Sequence, residues 1–219
     1  MAWKRAQSEE QKRQRISEIV SATARLYKQY RFEDITLTRI AEEADFTRSN
    51  LYKYFSSKEE IFLAFLKRDI LTWREDVLRT YGNRTIRSIE TFASVWVDTL
   101  SRHQRLLDLV SILSSFLEKN VTEEVLIDFK RSVKGELSVL SELLCRAFPA
   151  FTPDKAGEFL ELQLASTIGL YQITNLSDVQ RKVLDYPEFR HMKIDFKPYL
   201  QKTIECLLQG LATSSTSRS

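Results

Sequence analysis

The chain has 219 residues, 43% of them hydrophobic and 29% charged, with a formal net charge of +3. That length supports one or two domains with a real core, and that apolar content excludes wholesale disorder. Five glycines and four prolines suit long helices and argue against a turn-rich β fold.

In chain order, residues 1 to about 8 read as a mobile basic tail. Lys4, Arg5, Lys12, Arg13 and Arg15 crowd this end, either as a solvated helix start or as an arm for DNA. A first helix is predicted over about 8–30, with Ile16, Ile19, Val20, Thr23, Tyr27 and Tyr30 on one face. The run ITLTRIAEEADFTRSNLYKYFSSKEEIFLAF follows from Ile35. Thr36 can N-cap a helix over 37–44, on which Leu37, Ile40, Ala41 and Ala44 share a face. Asp45-Phe46-Thr47 is a break, and Thr47 can cap a second helix reaching 54. Ser57-Lys58-Glu59-Glu60 is a capping-box pattern opening a helix from 58 to about 80. This layout is a helix-turn-helix, whose second helix lies in the major groove of DNA.

Tyr81-Gly82-Asn83 reads as a break. From Thr85 a helical stripe carries Ile86, Ile89, Phe92, Ala93, Trp96, Val97 and Leu100. Residues 106–117 are nearly apolar all round, as in a helix that is buried or faces a pocket. A cap at Asn120-Val121-Thr122 starts a helix over 123–147, and Thr152-Pro153 starts another that reaches 175. Residues 176–193 read as a polar loop. The last helix, over 194–211, has Phe196, Leu200, Ile204, Leu207, Leu208 and Leu211 on one stripe. The tail ATSSTSRS is low-complexity and reads as disordered. The expected fold is all-α with about nine helices: a three-helix DNA-binding domain over 1–56, a larger helical domain over 57–213 with the fourth helix as connector, and a disordered tail over 214–219.

The residue types of the motif suit nucleic acid. Thr47, Arg48, Ser49 and Asn50 open the recognition helix and so point at base edges. Arg48 matches guanine O6 and N7; Asn50 matches adenine or serves the helix start. Lys58 adds its charge to a helix N-terminus, a phosphate site. Thr36 and Thr38 repeat that logic at the preceding helix. Glu42, Glu43 and Asp45 are expected to turn away from the phosphates. Catalytic signals are thin. His103 and His191 are isolated, and there is no HExxH, no Cys/His cluster and no Gly-rich phosphate loop. Cys145 and Cys206 are far apart and read as buried free thiols. No metal or cofactor is expected. The start MAWKRAQSEE has no apolar core of a signal peptide, and no run approaches the ~18 apolar residues of a membrane span. A cytoplasmic protein without membrane contact is expected. A helical enzyme and a helical adaptor without DNA binding are the rival readings; the first needs a catalytic constellation, the second leaves the clustered Arg48, Tyr52, Lys53 and Lys58 without a purpose.

The run from Phe32 to Phe65, FEDITLTRIAEEADFTRSNLYKYFSSKEEIFLAF, resembles the DNA-binding domain of the TetR family of bacterial transcriptional repressors. The resemblance covers about residues 14–66, and LYKYFSSKEE is its most specific part. It departs from the family at the turn, where Asp45 stands in place of the usual Gly, and at Arg31, another frequent Gly. The resemblance implies that Tyr52, Lys53 and Tyr54 contact phosphate or sugar, with some base contact. It further implies a homodimer on a palindromic double-stranded operator, released by a small-molecule effector. The dimer interface would lie on the last two long helices, at Phe159, Leu160, Gln163, Leu164, Thr167, Leu200, Ile204, Leu207 and Leu208. The effector would sit in the helical domain, where Phe92, Trp96, His103, Phe116 and Tyr171 are either ligand contacts or core.

Overall fold

The computed structural model describes residues 2–82 and 88–213, with side chains from Glu9 onward. Of the expected break at Tyr81-Gly82-Asn83, Tyr81 and Gly82 continue the helix that begins at Lys58; Asn83, the helix start at 85–87 with Ile86, and the tail at 214–219 lie outside the described residues. The described residues contain no strand. In chain order they form α1 (Ala2–Leu26), α2 (Leu37–Glu43), α3 (Arg48–Leu51), α4 (Lys58–Gly82), α5 (Ile89–Arg102), α6 (Gln104–Ser111), α7 (Glu123–Ala147), α8 (Pro153–Thr174), α9 (Asp178–Leu184) and α10 (Phe196–Thr213). Short 3-10 turns occur at Phe32–Asp34 and Arg190–Met192, and a π-helical turn at Leu113–Leu117. Two compact units result: residues 1–68 with 112–131, and residues 69–111 with 132–219.

In the first unit α1 covers the stretch read as a tail and ends at Leu26 instead of Tyr30. Its last turn tightens, with Lys28 N–H donating to Arg25 O and Gln29 N–H to Leu26 O. The Tyr27 ring then meets Phe62 edge-on at 5.5 Å, while Tyr30 stays exposed beneath the Arg39 guanidinium. Ile19, Ile35, Ile40, Leu51, Ile61 and Phe62 are sealed from solvent and form the core beneath the helix-turn-helix. Thr36 caps α2, its hydroxyl accepting from Arg39 N–H at 3.3 Å. At the other end, Asp45 N–H donates to Glu42 O at 3.2 Å and Phe46 N–H to Ala41 O at 2.8 Å. That pair of bonds is the Schellman closure, and it places Asp45 in the left-handed region at φ 58°. Asp does here what glycine does at most such ends, because its short polar side chain tolerates αL.

Only four residues of the expected recognition helix are α-helical. Thr47 caps α3 by accepting from Asn50 N–H at 3.2 Å. After Leu51 the bonds tighten to three-residue spacing, Lys53 N–H to Asn50 O and Tyr54 N–H to Leu51 O, so residues 52–54 continue as turns. Ser57 caps α4 through Glu60 N–H at 3.2 Å, and the Glu60 carboxylate accepts from Ser56 N–H at 2.7 Å.

In the second unit the core centres on Trp96, fully buried on α5. Phe92 stacks on it at 5.6 Å, and Trp73 and Phe159 meet it edge-on at 5.4 and 5.6 Å. Its indole N–H donates to Gln163 Oε1 at 3.3 Å, which gives a buried glutamine its partner. Two carboxylates on α4 hold cations from the α5–α6 region. Asp69 takes a two-pronged grip from Arg105, at 2.7 and 2.5 Å. Asp76 accepts from Arg79 and Arg102, each at 2.9 Å, and faces His103 Nε2 at 3.3 Å. The residues read as a polar loop contain α9, started by a reciprocal capping box between Ser177 and Gln180.

Asp45→Gly relieves an αL penalty of ~1–2 kcal/mol against a backbone-entropy cost of ~0.5–1 kcal/mol. A net gain of ~0.5–1 kcal/mol, seen as a rise of a few degrees in Tm, is expected in calorimetry. For Asp76, burial opposes ionisation, but the hydrogen bonds from Arg79, Arg102 and His103 outweigh it and hold the pKa down to about 2 from 3.8. The unfolded chain therefore binds a proton before the folded one does. Stability from this site is present above about pH 4 and is lost as pH falls toward 2. Urea titrations across that window should show a smaller acid loss in Asp76→Asn than in the natural chain, and a lower stability of the variant at pH 7.

Candidate nucleic-acid interface

Leu51 anchors α3 with no exposed surface, so the opposite side of that short helix faces solvent. Thr47, Arg48, Ser49, Asn50, Tyr52 and Lys53 are exposed there, and Tyr54 is half-buried. Their polar groups are not free to wander. Arg48 Nη2 donates to Tyr52 OH at 3.3 Å, with the guanidinium 5.7 Å from the Tyr52 ring centre. Lys53 Nζ donates to Asn50 Oδ1 at 2.8 Å, and the Thr47 and Ser49 hydroxyls are 3.1 Å apart. A guanidinium held at one nitrogen keeps its remaining N–H groups for a planar acceptor such as a guanine edge.

Thr36 and Thr38 are exposed at the start of α2. Lys58 is placed differently from the expected open phosphate site. Its ammonium donates to Phe32 O at 2.9 Å, approaches Glu33 O at 3.5 Å, and lies 4.2 Å from the Phe32 ring centre. It thus closes the 3-10 turn from a position 26 residues later, and one of its three protons remains. Glu43 is tied down by Arg25, whose guanidinium reaches its carboxylate at 2.5 Å and its backbone oxygen at 3.0 Å. Asp45, expected to turn away, lines a polar groove of about 250 Å3 together with Arg15, Phe46, Asn50, Lys53 and Tyr54.

That groove identifies a residue that sequence spacing did not connect to the motif. Arg15 on α1 lies over the Phe46 ring at 5.4 Å and is paired to Glu18 at 2.9 Å. It belongs to the basic cluster visible in the sequence, but its place beside α3 is a tertiary fact. Arg39 is similar: exposed near the Thr36 cap, its guanidinium rests on Tyr30 at 4.5 Å.

The five candidate ligand residues do not form one group. Phe92 and Trp96 stack on each other in a filled core. His103 faces Asp76. Phe116 belongs to the first unit, 6.0 Å from Phe32 and exposed. Tyr171 is buried; its hydroxyl donates to Asp108 at 2.5 Å and receives a bond from Gln104. Burial pushes the Asp108 carboxyl above its usual range, and the Tyr171 hydrogen bond opposes this.

The candidate interface residues divide by burial. Phe159, Leu160, Gln163, Thr167, Leu200, Ile204 and Leu208 are buried within the chain itself, where α8 packs on α10. Leu164 is exposed and Leu207 half-buried. The apolar face that α8 leaves outside carries Leu162, Ala165, Gly169 and Ile173 instead; on α10, Tyr199, Cys206 and Gly210 are exposed. No described helix is long and apolar enough to cross a membrane.

A family model described as "Bacterial regulatory proteins, tetR family" matches residues 19–65, and one described as "Tetracyclin repressor-like, C-terminal domain" matches residues 67–215. A 72-residue stretch is 38% identical to YfiR of Bacillus subtilis (strain 168), an uncharacterized HTH-type transcriptional regulator, covering 33% of this chain and 33% of that protein. The match thus spans about a third of the length of that curated relative. Among solved structures, the fatty acid degradation regulator FadR from Bacillus halodurans aligns with a TM-score of 0.55 at 14% identity, over 93% of this chain and 97% of that chain. FadR from Thermus thermophilus, a TetR-family transcriptional repressor in complex with lauroyl-CoA, aligns with a TM-score of 0.59 at 17% identity, over 93% and 98% of the two chains. At these identities the two structures speak for the fold. With family models matching both the helix-turn-helix and the helical region after it, the chain belongs to the TetR family of bacterial transcriptional regulators.

Proposed function

We propose that the chain acts as a homodimeric repressor that grips a palindromic operator through residues 1–56 and releases it when residues 57–213 bind a small molecule. It works by binding and carries no reaction, in the cytoplasm, where a bacterium keeps its promoters. The observation that carries the reading is the two-sided α3: Leu51 sealed beneath, Arg48 braced on Tyr52 above. Arg48 is the base reader. Asn50, Tyr52, Lys53 and Tyr54, with Thr36, Thr38, Thr47 and Ser49, hold phosphate and sugar, and Arg15 joins them across the groove. Lys58 uses its remaining proton on a phosphate.

Two copies are needed because one short helix reads only a few base pairs. The buried set on α8 and α10 builds the chain's own core, so the outward face with Leu162, Ala165, Gly169 and Ile173 is left for the partner. Small residues there let two helices approach closely. For the effector, Tyr171 with Gln104 and Asp108 offers polar groups beside the Phe196 ring, whereas Phe92 and Trp96 stack on each other. An effector that favours the non-binding arrangement by ~2.7 kcal/mol lowers operator affinity ~100-fold.

Arg48→Ala should cost ~1–3 kcal/mol on the operator and relax preference at one base pair of each half-site. Lys58→Ala should weaken operator and scrambled DNA alike, lower the salt slope by about two per dimer, and lower Tm through the lost turn closure. Binding on both duplexes across a salt series separates the two; equal loss on both for Arg48→Ala makes it a phosphate clamp. Leu162→Glu with Ile173→Glu should sediment as a helical monomer and lose the operator. A double variant that stays dimeric moves the interface off this face.

A further inference from the structure

Residues 176–195, between α8 and α10, form an arm of unusual character. It holds α9 and the 3-10 turn at Arg190–Met192, and neither buries a side chain. Apart from backbone bonds to the ends of α8 and α10, the hydrogen bonds and ion pairs given for its side chains close on the arm itself. Ser177 and Gln180 cap each other, Arg181 pairs with Asp178 at 2.8 Å, and Lys193 pairs with Asp185 at 3.6 Å. Yet the arm is not polar throughout. Val179, Val183, Tyr186, Phe189 and Met192 are all exposed, Val179 at 72% and Tyr186 at 62%. Of the 13 large apolar side chains that the described residues expose, five fall between Val179 and Met192. Val179 and Val183 are one helical turn apart and share a face of α9. Scattered exposed apolar residues need no explanation, whereas a concentrated set marks an interaction surface.

The pattern along the chain says what covers it. Ile173, 54% exposed, ends the outward face of α8 directly before the arm, and Tyr199, 50% exposed, resumes on α10 directly after it. The arm is therefore continuous at both ends with the face assigned to the second copy. Size points the same way. A stable interface buries about 800 Å2 on each partner, a little over half of it apolar. The part-covered Leu162, Ile173 and Tyr199 supply on the order of 200–300 Å2. The five apolar side chains of the arm, exposed at 36–72%, add more than that, which brings the apolar share to what a dimer needs.

We infer that the arm is a clasp that lays the apolar side chains of α9 and its following turn on the second copy of the chain. The inference rests on the dimer proposed above and adds a second element to it. The bundle face aligns the two copies, and the arm of each copy covers apolar surface on the other. Exchanged arms make the interface larger than two helix faces alone provide, and they slow its dissociation.

The test places the photo-cross-linker p-benzoylphenylalanine at position 186 of the full-length chain. Illumination at micromolar protein should give a covalent species of twice the chain mass on a denaturing gel. In parallel, Val179→Ser with Val183→Ser should keep its helical circular dichroism while its dimer dissociation constant rises about 10-fold or more in sedimentation. A dimer that gives no two-chain species, and whose dissociation constant stays within about twofold in the double variant, overturns the clasp and leaves the bundle dimer standing. A natural chain that sediments as a monomer overturns both.

Discussion

A helix of four residues has no stability of its own, so whatever this chain does with DNA depends on how α3 is held. Three local devices hold it. Thr47 closes its N-terminus, Leu51 pins its underside in the core, and the Schellman closure at Asp45 sets the angle at which the chain enters it. Remove the pin and the remaining hydrogen bonds cannot keep four residues helical. The side chains on the outer surface are then braced in pairs, Arg48 on Tyr52 and Lys53 on Asn50. Bracing reduces the rotamer freedom that any ligand of this surface would have to freeze, so the exposed side of α3 is partly organised in advance.

The second unit solves a different problem with the same residue types. α8 is apolar on two sides. One side meets α10 and the Trp96 cluster, where Gln163 answers the indole N–H; the other remains outside. An apolar face left in water marks an interaction surface, and the chain itself covers only one of the two sides. The polar contacts of α4 with Arg102, His103 and Arg105 fix direction instead of adding core. The charge pairs among them contribute modestly to stability but tolerate only a narrow set of geometries, so they specify how α4 meets the α5–α6 region.

The motif was legible because its signals are local. Thr36, Thr47 and Ser57 each act on a backbone group three residues away, so their roles can be read from spacing, and Asp45 at the turn could be recognised as tolerant of αL. Features that depend on distant partners were not legible. Lys58 closes on Phe32 O, 26 residues earlier, and Arg15 joins the groove beside α3 only once α1 packs on α2. Periodicity located the apolar stripe of α8 but could not tell an inward face from an outward one on a helix apolar on both; the expected interface therefore fell largely on buried positions. The same ambiguity covered Phe92 and Trp96, whose spacing is equally that of a core and of a pocket wall. α9 was hidden by composition: charged residues and Pro187 suggested a loop, although Ser177 and Gln180 already stood at capping-box spacing.

Two copies of the α3 surface that read DNA together would leave a paired footprint. Hydroxyl-radical footprinting of the chain on DNA from its own promoter region tests it most directly. The account predicts paired protected segments on one face of the duplex, related by a two-fold axis and spaced by one or more helical turns of ~34 Å. Loss of protection throughout in a Leu51→Asp chain whose second unit remains folded would tie the footprint to α3. A single protected segment, or protection unchanged in that variant, would contradict the account.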